Sequence, residues 1–240
     1  MPMFKLSVVI PCYNEAENLP RLLSVCKNIC QKYPECQIVL VNNGSTDNSE
    51  EILRQIPAET PNIKTVLIKN NIGYGNGILC GLKQADGSNL SWTHADLQTD
   101  PEDVCKAFLK YEGELKTGNC IVKGKRYNRP WLDFFFTLGM SIIATLLLGV
   151  RLHDINAQPK ILPRSFLPNL MKDAPLDFSL DTWLLYLARK NNLAILTFPV
   201  YYGKRTAGSA KGGGSFKGKW KLTMRTLSFL SELKKRKDFE

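Results

Sequence analysis

Leu6-Ser7-Val8-Val9-Ile10-Pro11-Cys12-Tyr13-Asn14-Glu15 is the stretch on which the fold turns. Leu6 to Ile10 is a short β-branched run, and it reads as a buried strand that Pro11 stops. From Asn14 to Lys32, apolar residues recur at helical spacing (Leu19, Leu22, Leu23, Val25, Cys26, Ile29). Asn14 is placed to cap that helix, and Glu15 suits its first turn. Working outward, the same unit repeats. Gln37–Val41 and Ile63–Ile68 read as strands, and Asp47–Gln55 and Gly77–Gln84 as helices. Asn89–Thr93 is a fourth strand, followed by a helix opening at Pro101. Such alternation implies right-handed crossovers and an α/β fold on a parallel sheet. Ligands of these sheets bind beyond the carboxyl ends of the strands. The loops 11–15, 42–47, 70–76 and 94–100 therefore line one crevice.

The second half is less regular. Ile121–Lys125 reads as a strand, as do short runs near Ala157–Leu162 and Ala194–Val200, with an amphipathic helix at Ser179–Lys190. Trp131–Val150 carries one charge, Asp133. Its length would cross a bilayer, but Gly139 and Gly149 interrupt it and no second span follows, so it reads as a buried or interfacial helix. Residues 203–221 form a Gly, Ser and Lys tract read as a mobile loop, and Lys217–Lys237 reads as a basic amphipathic helix.

The 240 residues, 44% hydrophobic and 22% charged, exclude a fibrous repeat or long disorder. Lys and Arg number 32 against 22 Asp and Glu, a net charge of +10. The excess gathers at Lys123–Arg129 and Lys204–Lys237, which points to phosphate-bearing partners. It is not interleaved with a stacking platform of aromatics, which argues against nucleic acid. Seven cysteines without a CxxC pair, and only two histidines, argue against a zinc finger and for buried thiols in a reducing compartment. The first residues have no signal-peptide layout, so the expected location is the cytoplasm.

Two further loops bear on the chemistry, and the one at residues 94–101 is the strongest. In Asn70-Asn71-Ile72-Gly73-Tyr74-Gly75-Asn76-Gly77 the glycines let backbone approach a ligand. This loop follows the third strand, whereas a dinucleotide fingerprint follows the first, and no GxxxxGK[ST] run is present, so NAD and P-loop chemistry are set aside. In His94-Ala95-Asp96-Leu97-Gln98-Thr99-Asp100-Pro101, the i,i+2 spacing puts His94, Asp96 and Gln98 on one face of an extended segment. One carboxylate with neutral ligands suits Mg²⁺ or Mn²⁺ whose shell is finished by substrate phosphates. The alternative is a helix-capping Asp100 with incidental neighbours. Val41-Asn42-Asn43-Gly44-Ser45-Thr46-Asp47 reads either as a turn and cap or as a base- or ribose-binding strand end.

Taken in order, Ser7-Val8-Val9-Ile10-Pro11-x-Tyr13-Asn14-Glu15, Gly44-Ser45-Thr46-Asp47, Gly73-x-Gly75, Asp96-Leu97-Gln98, Gly124-x-Arg126-Tyr127, Asp154 and Arg205-x-x-Gly208-x-x-Lys211 resemble the family 2 inverting glycosyltransferases. They resemble especially the polyprenyl-phosphate sugar synthases of the dolichol-phosphate mannose synthase type. The resemblance implies a GT-A fold, Rossmann-like with a mostly parallel mixed sheet, over a single domain 1–240. Residues 1–126 would be the nucleotide-sugar half, and 127–240 the acceptor half with C-terminal interfacial or amphipathic helices. It implies a nucleotide-sugar donor contacted by Pro11, Tyr13, Glu15, Asn43, Asp47, Gly73, Gly75, Ala95 and Asp96. A Mg²⁺ or Mn²⁺ ion would be held by Asp96 and Gln98, with His94 as a further ligand. Arg126, Arg129, Arg205 and Lys211 would face phosphate. Asp181 would be a catalytic acidic residue beside Asp96: a base for a hydroxyl acceptor, or an orienting group for a phosphate acceptor. The sequence departs from the family at Asn42-Asn43, usually two aspartates, at His94, usually an aspartate, and at Ala157-Gln158-Pro159-Lys160, usually Ser-Gly-Phe-Arg.

The expected function is inverting transfer of a sugar to a polyprenyl phosphate, by an enzyme peripheral to the cytoplasmic face of an anionic membrane. Transfer to a soluble glycan, or nucleotide-sugar binding without turnover, are the competing readings.

Overall fold

A computed structural model describes residues 4–56, 62–128, 131–150, 152–203, 205 and 216–237. The order is β1 (Phe4–Cys12), α1 (Leu19–Lys32), β2 (Cys36–Asn43), α2 (Ser49–Arg54), β3 (Ile63–Ile68), α3 (Tyr74–Gln84), β4 (Gly87–Trp92), α4 (Glu102–Lys110) and α5 (Glu112–Lys116). It continues with β5 (Cys120–Tyr127), α6 (Trp131–Leu148), β6 (Lys160–Pro163), α7 (Leu167–Met171), α8 (Leu180–Lys190), β7 (Ala194–Tyr201) and α9 (Phe216–Lys237). The strands form one sheet in the order β3-β2-β1-β4-β6-β5-β7. All neighbours are parallel except β6, which runs antiparallel to both β4 and β5. Alternation alone predicts a parallel sheet, and the mostly parallel mixed sheet observed is the one that the resemblance implies.

Strand alternation divides the core. Val8 and Ile10 face a cluster with Leu19, Leu22 and Cys26 of α1 and Val104 and Phe108 of α4. Val9 faces the opposite side, with Ile78 and Leu82 of α3, Trp92 and Leu184 of α8. A strand covered on both faces needs apolar side chains in succession, which Val8-Val9-Ile10 supply, and the buried Ser7 hydroxyl is satisfied by donating to Gln37 Oε1 at 2.7 Å.

Three local expectations are corrected. Pro11 does not stop β1, which continues to Cys12 with Pro11 opposite Val41. By strand parity Pro11 points to the β4 side, where pairing ends at Val9↔Trp92, so its missing N–H is not needed there. Helix α1 begins at Leu19, with Pro20 in its first turn. Asn14 is no cap: at φ 54° its Oδ1 accepts from the Thr46 N–H at 2.7 Å, which ties the first loop to the second. Helix α3 begins at Tyr74, so Gly75 and Gly77 are helical rather than part of the turn.

In α6, Ala144 and Leu148 are buried in the core, against which Leu230 and Leu233 of α9 also pack. No helix among the described residues is long and apolar enough to cross a membrane. Of the Gly-rich tract, residues 204 and 206–215 lie outside the described residues, and α9 takes over at Phe216.

Candidate active site

The sheet order turns outward in two directions from β1 and β4, so the crevice opens where the loops after these two strands part. The loop after β4 carries His94, Asp96, Gln98 and Thr99. These four line a cavity of about 60 Å³ together with Arg126, Asn156, Gln158 and Tyr202. Leu97, at φ 55°, turns the chain between the two polar residues. Asp96 Oδ1 accepts from the Gln98 N–H at 3.1 Å. The Gln98 amide is tied to the segment after β7: Tyr202 Oη donates to its Oε1 at 3.2 Å, and its Nε2 donates to the Gly203 carbonyl at 3.3 Å. His94 Nδ1 lies 3.4 Å from Tyr74 Oη, and Tyr74 stacks on Phe178 at 4.6 Å between centroids. Burial pushes the Tyr74 hydroxyl far above the usual phenol range, with the Asp181 and Asp96 charges adding to the effect.

Positive charge enters from two sides. Arg205 Nη2 donates to Glu15 Oε1 and Oε2 at 2.6 and 2.8 Å, and its Nη1 stands 3.6 Å from Asp96 Oδ2. Arg126 pairs with Asp154 and lies over the Tyr202 ring, with Cζ 5.4 Å from its centroid. Burial alone would raise the Asp154 carboxyl, but the Arg126 charge and hydrogen bonds hold it below the ordinary range.

The remaining expected residues have distinct places. Asp47 accepts from the Ala16 and Ser49 N–H groups at 3.2 and 3.0 Å, and so joins the first two loops. Tyr13 is half-buried in the first loop, and Ala95 is buried behind Asp96. Asn43 Nδ2 donates to the Gly73 carbonyl at 3.0 Å, and its amide packs against Gly77. Gly73 and Gly75 meet protein backbone: a Cβ on either would fall 2.1 Å from the Leu176 carbonyl or 2.6 Å from that of Pro175. Their small size is required by the 175–177 segment that leads into α8. Arg129 and Lys211 lie outside the described residues.

Asp181 does not stand open at a helix start. It is 2% exposed, and it accepts from Trp92 Nε1 at 3.0 Å and from Gln158 Nε2 at 3.1 and 3.2 Å. Lys160 Nζ, fully buried, lies 3.4 Å away and donates to the Ala157 carbonyl at 2.7 Å. Lys160 faces Lys123 across β5 and β6. Burial lowers both lysines; for Lys160 the Asp181 charge opposes this, and Lys123, with Lys160 as a positive neighbour, falls to about 7. This buried layer under the cavity was not anticipated from sequence. The one available signal was a lysine heading the apolar run Ile161-Leu162-Pro163.

Among the described residues, no three His, Cys, Asp or Glu side chains gather as a metal cage. A cation at Asp96 would have one protein carboxylate. That chemistry fits a hard divalent ion whose remaining ligands are diphosphate oxygens and water.

The family profile of Glycosyl transferase family 2 matches residues 7–162, more than half of the chain. The chain belongs to glycosyltransferase family 2. It is 41% identical over 153 residues to the undecaprenyl-phosphate 4-deoxy-4-formamido-L-arabinose transferase of Serratia proteamaculans, covering 61% of this chain and 44% of that protein. The enzyme of the same name from Photorhabdus laumondii is 38% identical over 130 residues, 52% of this chain and 38% of that one. The matched regions thus span less than half the length of these curated relatives. Among solved structures, the glucosyl-3-phosphoglycerate synthase of Mycobacterium tuberculosis, in complex with Mn²⁺, uridine diphosphate and glucosyl-3-phosphoglycerate, superposes with a TM-score of 0.65 at 16% identity. That alignment covers 95% of this chain and 78% of the other, and it shows a shared GT-A fold. The sheet of this glycosyltransferase therefore follows the GT-A plan.

Proposed function

We propose that this glycosyltransferase moves a sugar, with inversion, from a nucleotide-sugar donor to a polyprenyl phosphate at the surface of an anionic membrane. The observation that carries the proposal is the meeting of Asp96, Glu15 and Arg205 at the mouth of the crevice, beside the Arg126-lined cavity. The names of the relatives support the acceptor class, and the Mn²⁺ in the superposed synthase supports a divalent cation.

Asp96 would hold Mg²⁺ or Mn²⁺, which when bound supplies positive charge to the diphosphate leaving group. Arg205 exchanges its carboxylate partners for the diphosphate and stabilises its growing charge. Arg126, fixed by Asp154, faces phosphate from the other side of the cavity. The acceptor phosphate oxygen attacks the anomeric carbon from the face opposite the diphosphate, forming the new C–O bond as the old one breaks. That oxygen is already an anion, so no base is needed. Asp181, enclosed and paired with Lys160, serves as a positioning residue in this reading. The same enclosure counts against the hydroxyl-acceptor reading, which needs Asp181 to take a proton.

Membrane contact is supported by α6 and α9. Leu138, Ile142 and Leu146 are exposed by 40, 51 and 77% at i, i+4 and i+8 along α6. The helix packed against α6 carries exposed Arg225, Lys234 and Lys235. Apolar side chains beside basic ones suit an anionic bilayer surface. The test is sugar transfer from UDP- and GDP-linked donors to undecaprenyl phosphate in detergent micelles with Mn²⁺. Polyprenyl-linked product that disappears in Asp96→Ala is expected. Product only on soluble glycans, or donor binding without turnover on any acceptor, would overturn the proposal.

A further inference from the structure

Two buried polar atoms in residues lining the cavity have no hydrogen-bond partner among the described residues: Gln158 Oε1 and Thr99 Oγ1. Gln158 is 1% exposed and Thr99 4%. A buried acceptor left without a donor is costly, and protein interiors rarely tolerate one.

The orientation of Gln158 is fixed by its neighbours. Its amide faces both oxygens of Asp181, at 3.1 and 3.2 Å. A carboxylate only accepts, so the nitrogen must face Asp181 and the oxygen must face away. Asp181 is itself held by Trp92 Nε1 and by Lys160. The buried layer thus clamps an amide whose remaining oxygen can only accept. Anions would be repelled by that oxygen, and so would the polyprenyl phosphate. What fits is a neutral donor group, and a sugar presents hydroxyls.

We infer that Gln158 Oε1 and Thr99 Oγ1 form the sugar-recognising subsite of this enzyme, accepting from and exchanging hydrogen bonds with hydroxyls of the donor sugar. The inference rests on the proposed nucleotide-sugar donor. In the proposed reading the nucleoside diphosphate engages other side chains, Asp96 and Arg205, so the two contributions can be separated by variants.

The experiment is calorimetry on the full chain with Mn²⁺ present, using a panel of UDP- and GDP-linked hexoses, N-acetylhexosamines and pentoses, with UDP and GDP alone as references. Gln158→Met, which keeps length and removes the acceptor, is expected to weaken the preferred nucleotide sugar roughly tenfold, the loss of one buried hydrogen bond. Thr99→Val is expected to weaken it severalfold. Affinity for the free diphosphate should stay within about twofold in both. Ser91→Ala removes another buried hydroxyl that has no hydrogen-bond partner among the described residues but does not line the cavity, so its sugar affinity should hold. Unchanged sugar affinity in Gln158→Met, equal loss of sugar and free diphosphate, or the same sugar-specific loss in Ser91→Ala would each overturn the inference. A wild-type chain that binds no nucleotide sugar would instead overturn the donor assignment on which it rests.

Discussion

Arg205 Nη2 lies 2.6 and 2.8 Å from the two carboxylate oxygens of Glu15, a residue 190 positions earlier in the chain. The pair closes the crevice between the loop after β1 and the segment after β7. With Asp96 at 3.6 Å, two carboxylates share one guanidinium. A bound diphosphate would compete for it.

Removing that guanidinium should therefore be felt mainly by the diphosphate. Arg205→Ala is expected to weaken UDP or GDP binding about tenfold or more, with a shallower salt dependence than wild type. Calorimetry at low and high salt measures both. Unaltered diphosphate affinity would remove Arg205 from the proposed phosphate site.

The Lys160–Asp181 pair is a buried ion pair, so breaking one side should cost more than removing both. Lys160→Met alone leaves an uncompensated carboxylate and should destabilise by about 3–5 kcal/mol. The double variant with Asp181→Asn should recover part of that loss. Urea unfolding of the singles and the double gives the coupling.

Lys123 gives stability a pH dependence. Its pKa falls from the ordinary lysine value to about 7 in the folded chain, chiefly through burial. Between about pH 7 and 10.5 the unfolded chain binds the proton and the folded chain does not, so this group makes stability rise with pH. Below about 7 both states hold the proton and its slope vanishes. Buried thiols such as Cys12, raised by burial, act oppositely above about pH 9. The wild-type minus Lys123→Met difference in unfolding free energy isolates the lysine, and it should rise from pH 7 to 9 by up to about 1.4 kcal/mol per unit.

Gly73→Ala should destabilise by about 2 kcal/mol or more. Its φ is 144°, and the added Cβ would overlap the Leu176 carbonyl. Gly139→Ala in α6 is the control, because no described heavy atom lies within 4 Å of the place its methyl would occupy. There, helix propensity should give a neutral or mildly stabilising change. Thermal unfolding compares the two.

Leu146, 77% exposed, can be charged without disturbing the core. Leu146→Asp should keep the wild-type melting temperature yet reduce flotation with phosphatidylglycerol vesicles severalfold. Equal flotation would remove α6 from the proposed membrane face.

Much of this was legible in the sequence. Leu6–Ile10 and Gln37–Val41 announce buried strands because both faces of the sheet are covered, and the Asp96 loop falls where a parallel sheet puts ligands. Boundaries were less legible. Pro20 sets where α1 begins, and the 175–177 segment explains Gly73 and Gly75; neither is a neighbour effect that periodicity can detect. The Trp92–Asp181–Gln158–Lys160 layer was invisible, because it joins residues 89 and 23 positions apart that only the completed sheet brings together. Lys160 in a strand looks like a surface charge until β6 is known to lie between β4 and β5.

The reversed direction of β6 has an evolutionary consequence. Trp92 ends β4 opposite Lys160, which begins β6, so the crevice receives the connection entering this strand rather than the one leaving it. Residues 152–159 therefore lie outside the parallel crossovers of β1 to β4, and what they bring to the crevice is Asp154, which pairs with Arg126, and Gln158, which bonds Asp181. In the proposed reading, a change of sugar specificity can thus be confined to this one connection, apart from the loops after β1 and β2.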